Sequence, residues 1–179
     1  MEKIEKQVTV LALLEKMQQY GSWCGETHLQ KCLYFLQELL KVPVGYQYVL
    51  YKHGPYSFDL HDEITEMRAK MFLELRPRQY PYGPSIVPGK IAGRLKELYA
   101  EPFTRYAGQI DYVAQKLAVL GVAKLEQLAT SLYVTLKNPA ASLEERACRV
   151  VELKPHVDKT AALEAVQLID EMQQEVADL

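Results

Sequence analysis

Residues 46–57 read YQYVLYKHGPYS, an aromatic and β-branched run that halts at a Gly-Pro pair just before a new helical period begins. Tyr and Val suit a pleated, half-buried surface, so residues 45–51 are predicted to form a short strand. Gly54-Pro55 breaks that strand. Pro55 presets a helical φ near the first turn of the next helix, predicted over residues 56–69. His53, Gly54, Pro55 and Tyr56 are therefore read as a structural corner. Both flanks of the corner are helical in pattern, which restricts the chain to a mainly α fold with a small β element inserted.

The surrounding periodicity fills in that architecture. A first helix is expected over residues 8–20, with Val10, Leu11, Leu14 and Met17 on one face and Gly21 as its stop. A second is expected over 27–41, where Leu29, Cys32, Leu33, Leu36, Leu39 and Leu40 form an apolar stripe and Pro43 ends it. In the helix over 56–69, Phe58, Leu60, Ile64 and Met67 are expected inward, with Asp59, Asp62, Glu63 and Glu66 outward. Residues 72–76 read as a strand, 77–84 as a hairpin tip and 85–87 as its return. That hairpin is what a winged-helix domain uses as its wing. Helices are expected near 89–100, 104–120, 124–137, 142–153 and 159–177. Ser142 with Glu145 has capping-box spacing, and Asp158 is placed to cap the last helix. The expected organisation is a winged-helix-like part over residues 1–100 and a helical bundle extension over 101–179, sharing one continuous core.

Composition narrows the class of function. The chain has 179 residues, 25% charged residues and a formal charge of −2, so no strong overall attraction to nucleic acid or anionic lipid is implied. The charge is unevenly placed, however. Residues 68–105 hold eight Lys/Arg against three acids, a local +5 that leaves −7 for the rest. A basic middle between acidic flanks points to a local anionic partner surface, or to charge complementarity within a homodimer. The three cysteines, Cys24, Cys32 and Cys148, imply no disulfide framework and fit a reducing cytoplasm. No apolar run approaches the ~20 residues that a membrane-spanning helix needs.

Candidate chemistry is sparse. Ser57 and His53, with Asp59 as orienter, lie close in sequence, but nucleophilic catalysis needs a base in reach and an oxyanion site, which adjacency does not supply. Cys24, His28 and Cys32 are spaced along a helical face without the fourth ligand that structural zinc requires. Trp23 is expected as a core plug beside the first two helices. Neither a catalytic set nor a metal or other cofactor site is expected.

The tyrosines are more informative. Eight of the twelve fall within residues 46–106, and tyrosine suits both half-buried strands and contact surfaces. The segment Arg76-x-Arg78-x-Tyr80-x-Tyr82 interleaves cations and aromatics, and it is the expected partner-binding element. In a second reading the chain is a winged-helix-like nucleic-acid-binding regulator that uses the basic 68–105 region, with this wing and Lys90, Arg94 and Lys96 as the contacts. Four outward carboxylates on the helix over 56–69 would repel a duplex, so groove reading by that helix is disfavoured.

Three stretches, HLQKCLYFLQ, YKHGPYSFDLHDEI and LATSLYVTLKN with VVELKPH, are similar to the bacterial Panacea group of antitoxin (SocA-like) domains and their YwgA-like relatives. The shared features are a Lys-x-Leu-Tyr helix, here Lys31-Cys32-Leu33-Tyr34, an extended segment ending at Gly54-Pro55, and a following helix. A later Leu-x-x-Thr-x-x-Tyr helix is met in part by Leu128, Ser131 and Tyr133. The resemblance implies a mostly helical domain that neutralises a toxin or delivers a client to a protease, and it brings no catalytic residues. The resulting expectation is a non-enzymatic cytoplasmic interaction module.

Overall fold

The computed structural model describes residues 1–177, and the fold is mainly helical with two small antiparallel β-hairpins. The chain divides into two units. The first comprises Met1–Tyr48 and Ser57–Leu120, and the second comprises Val49–Tyr56 and the chain from Gly121 onward.

The first unit is built around α1 (Lys3–Gln19) and α2 (Glu26–Glu38). Every residue of α1 from Gln7 to Leu14 is buried, as is Met17. The helix thus lacks a solvent face along its middle, which exceeds the one-sided stripe expected from its sequence. A helix apolar around most of its circumference belongs inside a core. Gly21 ends it as expected: at φ +87° it closes a Schellman motif, with Gly21 N–H on Gln18 O and Ser22 N–H on Met17 O. Around this centre lie α3 (Phe58–Ala69), β3 (Leu73–Arg76), β4 (Ser85–Pro88), α4 (Ala92–Leu98), α5 (Ala100–Thr104) and α6 (Ala107–Leu117). The helix expected over 89–100 is the shorter α4, and a further short helix, α5, occupies the gap expected before the helix over 104–120.

Two inward-outward assignments on α3 are corrected. Ser57 is the N-cap, its Oγ accepting from Leu60 N–H at 3.2 Å, so the helix begins at Phe58 and Pro55 lies before it. The buried face runs through Leu60, Glu63, Ile64 and Met67, the i, i+3, i+4, i+7 stripe. Phe58, two residues before that stripe, is 54% exposed. Glu63 is buried instead of outward, its Oε2 accepting from the Tyr46 hydroxyl at 2.8 Å.

The second unit contains β1 (Val49–Tyr51), β2 (Gly54–Tyr56), α7 (Val122–Lys137), α8 (Leu143–Leu153) and α9 (Lys159–Ala177). The three helices enclose a core of Val134, Ala147, Val150, Ala162 and Val166. Arg146 ties them by a bidentate pair to Asp170 at 2.6 and 2.8 Å and a bond to Thr135. The Ser142–Glu145 capping box is present, and the Asp158 carboxylate accepts from Ala161 N–H at 2.9 Å.

Gly54-Pro55 is not a strand breaker but opens the second strand of a hairpin. Val49, Leu50 and Tyr51 pair with Tyr56, Pro55 and Gly54. Gly54 turns the chain at φ +84°, which costs glycine nothing sterically. Proline is tolerated because a two-stranded sheet leaves one edge of each strand without ladder bonds.

Candidate functional site

The partner-binding residues expected from sequence sit on the β3–β4 hairpin. Its register pairs Leu73 with Pro88, Glu74 with Val87, Leu75 with Ile86 and Arg76 with Ser85. Leu73 and Ile86 are buried and anchor the hairpin to the first unit. Ile86 N–H also donates to Cys24 O at 2.8 Å, and Gln18 Nε2 donates to Ile86 O at 3.4 Å. The hairpin is therefore a held projection whose tip, residues 77–84, stands clear of the core.

At the tip, the Arg78 guanidinium lies 4.8 Å from the Tyr82 ring centroid and 5.1 Å from that of Trp23. Such stacking restrains a flexible cation while leaving its N–H donors available. Trp23, expected as a core plug, is half-buried and forms one wall of this stack. Behind it, the Trp23 ring meets His28 edge-on at 4.3 Å. His28 is fully buried, and Nε2 lies 2.7 Å from Leu120 O, so Nε2–H donates and Nδ1 is the acceptor. Burial holds the His28 pKa below its ordinary value, the Leu120 carbonyl opposes this, and the Arg78 charge adds to the depression. The imidazole is thus neutral near pH 7 and presents no competing charge beneath Arg78.

Tyr80 is 93% exposed and Tyr82 62% exposed. Arg76 is exposed at the end of β3. Among the described residues, no carboxylate pairs with Arg76 or Arg78. The structure thus brings Arg78 and Tyr82 together and leaves Arg76 and Tyr80 projecting separately. Sequence reading missed Trp23 as a site residue, because it lies 55 positions from Arg78 and nothing local couples them.

Two of the three cations of the nucleic-acid reading are paired with acids. Arg94 pairs with Glu97 at 3.0 Å, and Lys96 pairs with Glu15 at 3.0 Å while lying over Phe103. Lys90 is exposed. On α3, Asp59 and Asp62 are exposed, whereas Glu66 is paired with Lys3 and Lys70.

The corner residues His53–Tyr56 are occupied structurally within the second unit. His53 Nδ1 lies 3.4 Å from Glu126 Oε2, and Glu126 Oε1 receives the Lys154 ammonium at 2.6 Å. Lys154 Nζ also donates to Lys52 O at 2.6 Å, which pins the turn of the β1–β2 hairpin to the helices. In the first unit, Ser57 is fully buried, and its Oγ is spent on capping α3. Of the Cys24, His28 and Cys32 set, both thiols are buried and His28 is committed to Leu120 O. No group of three or more His, Cys, Asp or Glu side chains among the described residues is arranged to hold a metal ion. No helix among them is long and apolar enough to cross a membrane. Comparison with known proteins found no matching family model and no curated relative.

Proposed function

We propose that this chain is a non-enzymatic cytoplasmic protein-interaction module that grips a partner protein through the β3–β4 wing. The observation that carries this reading is the wing's chemistry. Two guanidinium groups without carboxylate partners among the described residues stand beside two exposed tyrosines on an anchored hairpin. Arginine and tyrosine are the residues that concentrate binding energy in protein interfaces, since both bring large rigid surface and directed hydrogen bonds. Restraining Arg78 between two rings lowers the entropy lost on association. The resemblance to antitoxin and adaptor domains supports the same class of role, with a toxin or a protease-delivered client as partner.

The test is quantitative co-purification from the native host, comparing the wild-type chain with Arg76→Glu/Arg78→Glu and with Tyr80→Ala/Tyr82→Ala. A partner bound by the wing is depleted at least tenfold by both variants while their thermal unfolding stays unchanged. Equal recovery of every partner with wild type and variants refutes the reading. In a second reading the same interleaved Arg and Tyr residues contact single-stranded nucleic acid, which predicts retention at ~50 mM salt that falls steeply as salt rises.

A further inference from the structure

We propose that the partner is captured as an added β-strand: an extended, acidic peptide segment pairs with the free edge of β3, beside the wing. This rests on the protein-interaction reading above and specifies its mode.

The two edges of the β3–β4 hairpin are unequal. In an antiparallel pair, residues alternate between positions bonded to the partner strand and positions whose N–H and C=O face outward. Ile86 donates its N–H away from β3, to Cys24 O, so the Leu75–Ile86 pair is of the outward kind. Leu75 therefore turns its own N–H and C=O to the opposite edge. Gly89 N–H donates to Phe72 O, which marks that neighbouring pair as bonded and makes Leu73 outward as well. Pro88, which has no N–H, sits opposite Leu73 as this alternation requires.

The outer edge of β4 is closed by Cys24 and Gln18. The outer edge of β3 opens on a groove of about 580 Å³, lined by Thr65, Arg68 and Ala69 of α3 and by Leu73, Glu74 and Leu75 of β3. Among the described residues, the outward groups of Leu75 have no hydrogen-bond partner. A four-residue edge at ~3.3 Å per residue accepts a similar length of extended chain, with the groove receiving its alternate side chains.

Charge selects the occupant. Arg68 stands on the helical wall and Arg76 at the end of the strand, and neither has a carboxylate partner among the described residues. The one acid lining the groove, Glu74, accepts from Lys90 N–H at 3.2 Å on the β4 side. An incoming strand that bears carboxylates meets two unneutralised guanidinium groups, whereas a lysine-bearing strand meets repulsion.

The probe is a blocked six-residue peptide alternating Val and Glu, titrated to about 1 mM into the isotopically labelled full chain and read by amide chemical shifts. Its controls are the Val/Lys counterpart, the same peptide N-methylated at alternate residues, and a uridine oligonucleotide. The expected result is a saturable shift of the Leu75 amide and its neighbours with the Val/Glu peptide. The shift should weaken at least tenfold on N-methylation and in Arg68→Glu/Arg76→Glu, with no response to the Val/Lys form. An unmoved Leu75 amide, equal binding of the Val/Lys peptide, or displacement of the response by the oligonucleotide overturns the proposal. Failure here is distinguishable from failure of the wing reading. If the peptide fails while the tyrosine and arginine tip variants still lose their co-purifying protein, strand addition is wrong and the wing interface stands.

Discussion

Removing the Lys154 ammonium tests whether the corner around His53 and Gly54 serves as scaffold. The Lys154 and Glu126 side chains are only 6% and 11% exposed and meet at 2.6 Å. At that separation their attraction is about 6 kcal/mol for an effective dielectric near 20, and desolvation offsets much of it. Lys154→Met takes away the attraction but leaves the desolvation of Glu126, whose remaining side-chain neighbour is the more exposed His53 ring at 3.4 Å. It also strips Lys52 O of a donor. Breaking one side of such a pair costs about 3–5 kcal/mol, a large share of the ~5–15 kcal/mol that holds a typical domain folded. In urea this lowers the midpoint of the second unit by roughly 2 M for a slope near 2 kcal/mol per M.

Acidification supplies a second readout with a definite sign. Burial pushes the Glu126 carboxyl upward, but bonding and charge from Lys154, then from His53, hold it below its ordinary 4.5. A depressed folded pKa gives stability that is complete above the unfolded value and lost as pH falls through the folded one. The wild-type contribution therefore fades below about pH 4.5. In Lys154→Met, burial dominates and the carboxyl rises, so mild acidification stabilises the variant. Adding Glu126→Leu to Lys154→Met should recover most of the loss, because no buried charge remains. A single-variant cost under about 1 kcal/mol, the range of solvent-screened pairs, would refute this account, as would a double variant no more stable than the single one.

Three further outcomes follow from local geometry. A Cβ at Gly89 would lie 2.2 Å from Met71 O, so Gly89→Ala should destabilise the first unit by about 1–3 kcal/mol in urea melts and loosen the wing. Met71 ends α3 at φ +58° with its side chain exposed, so Met71→Gly should stabilise by roughly 1 kcal/mol, seen as a higher thermal midpoint. Of the three thiols, Cys148 alone is exposed, while burial raises Cys24 to about 11 and Cys32 further still. A thiol-reactive chromophore should therefore titrate one cysteine per folded chain at pH 8 and three after denaturation, and Cys148→Ser should abolish the fast reaction.

The helices were legible because their signals are local. Leu11 and Leu14 on the first helix and Leu29, Leu33 and Leu36 on the second recur at helical spacing, and Gly21, Ser142 and Asp158 stop or start their helices through bonds to neighbours a few residues away. The β3–β4 hairpin was equally legible from the turn residues at its tip. The β1–β2 hairpin was misread because Gly54-Pro55 is a breaker by propensity, yet a two-stranded sheet has a free edge on which proline is harmless. Phe58 and Glu63 were exchanged because hydrophobicity was weighted above position. The i, i+3, i+4, i+7 stripe from Leu60 includes Glu63, and the Tyr46 hydroxyl donates to its Oε2.

The amino-acid sequence by itself determined a mainly helical chain with a small β element, a basic central segment, and Arg76, Arg78, Tyr80 and Tyr82 on one hairpin. Only the tertiary structure decided that Arg78 is stacked against Trp23, that Lys96 is paired with Glu15, and that β3 has an open edge while β4 does not. The division has a physical cause. Periodicity and capping act over one or two turns of chain, whereas the Trp23–Arg78 stack, the Glu15–Lys96 pair and the closure of β4 by Gln18 and Cys24 join residues 55 or more positions apart, whose meeting no local pattern encodes.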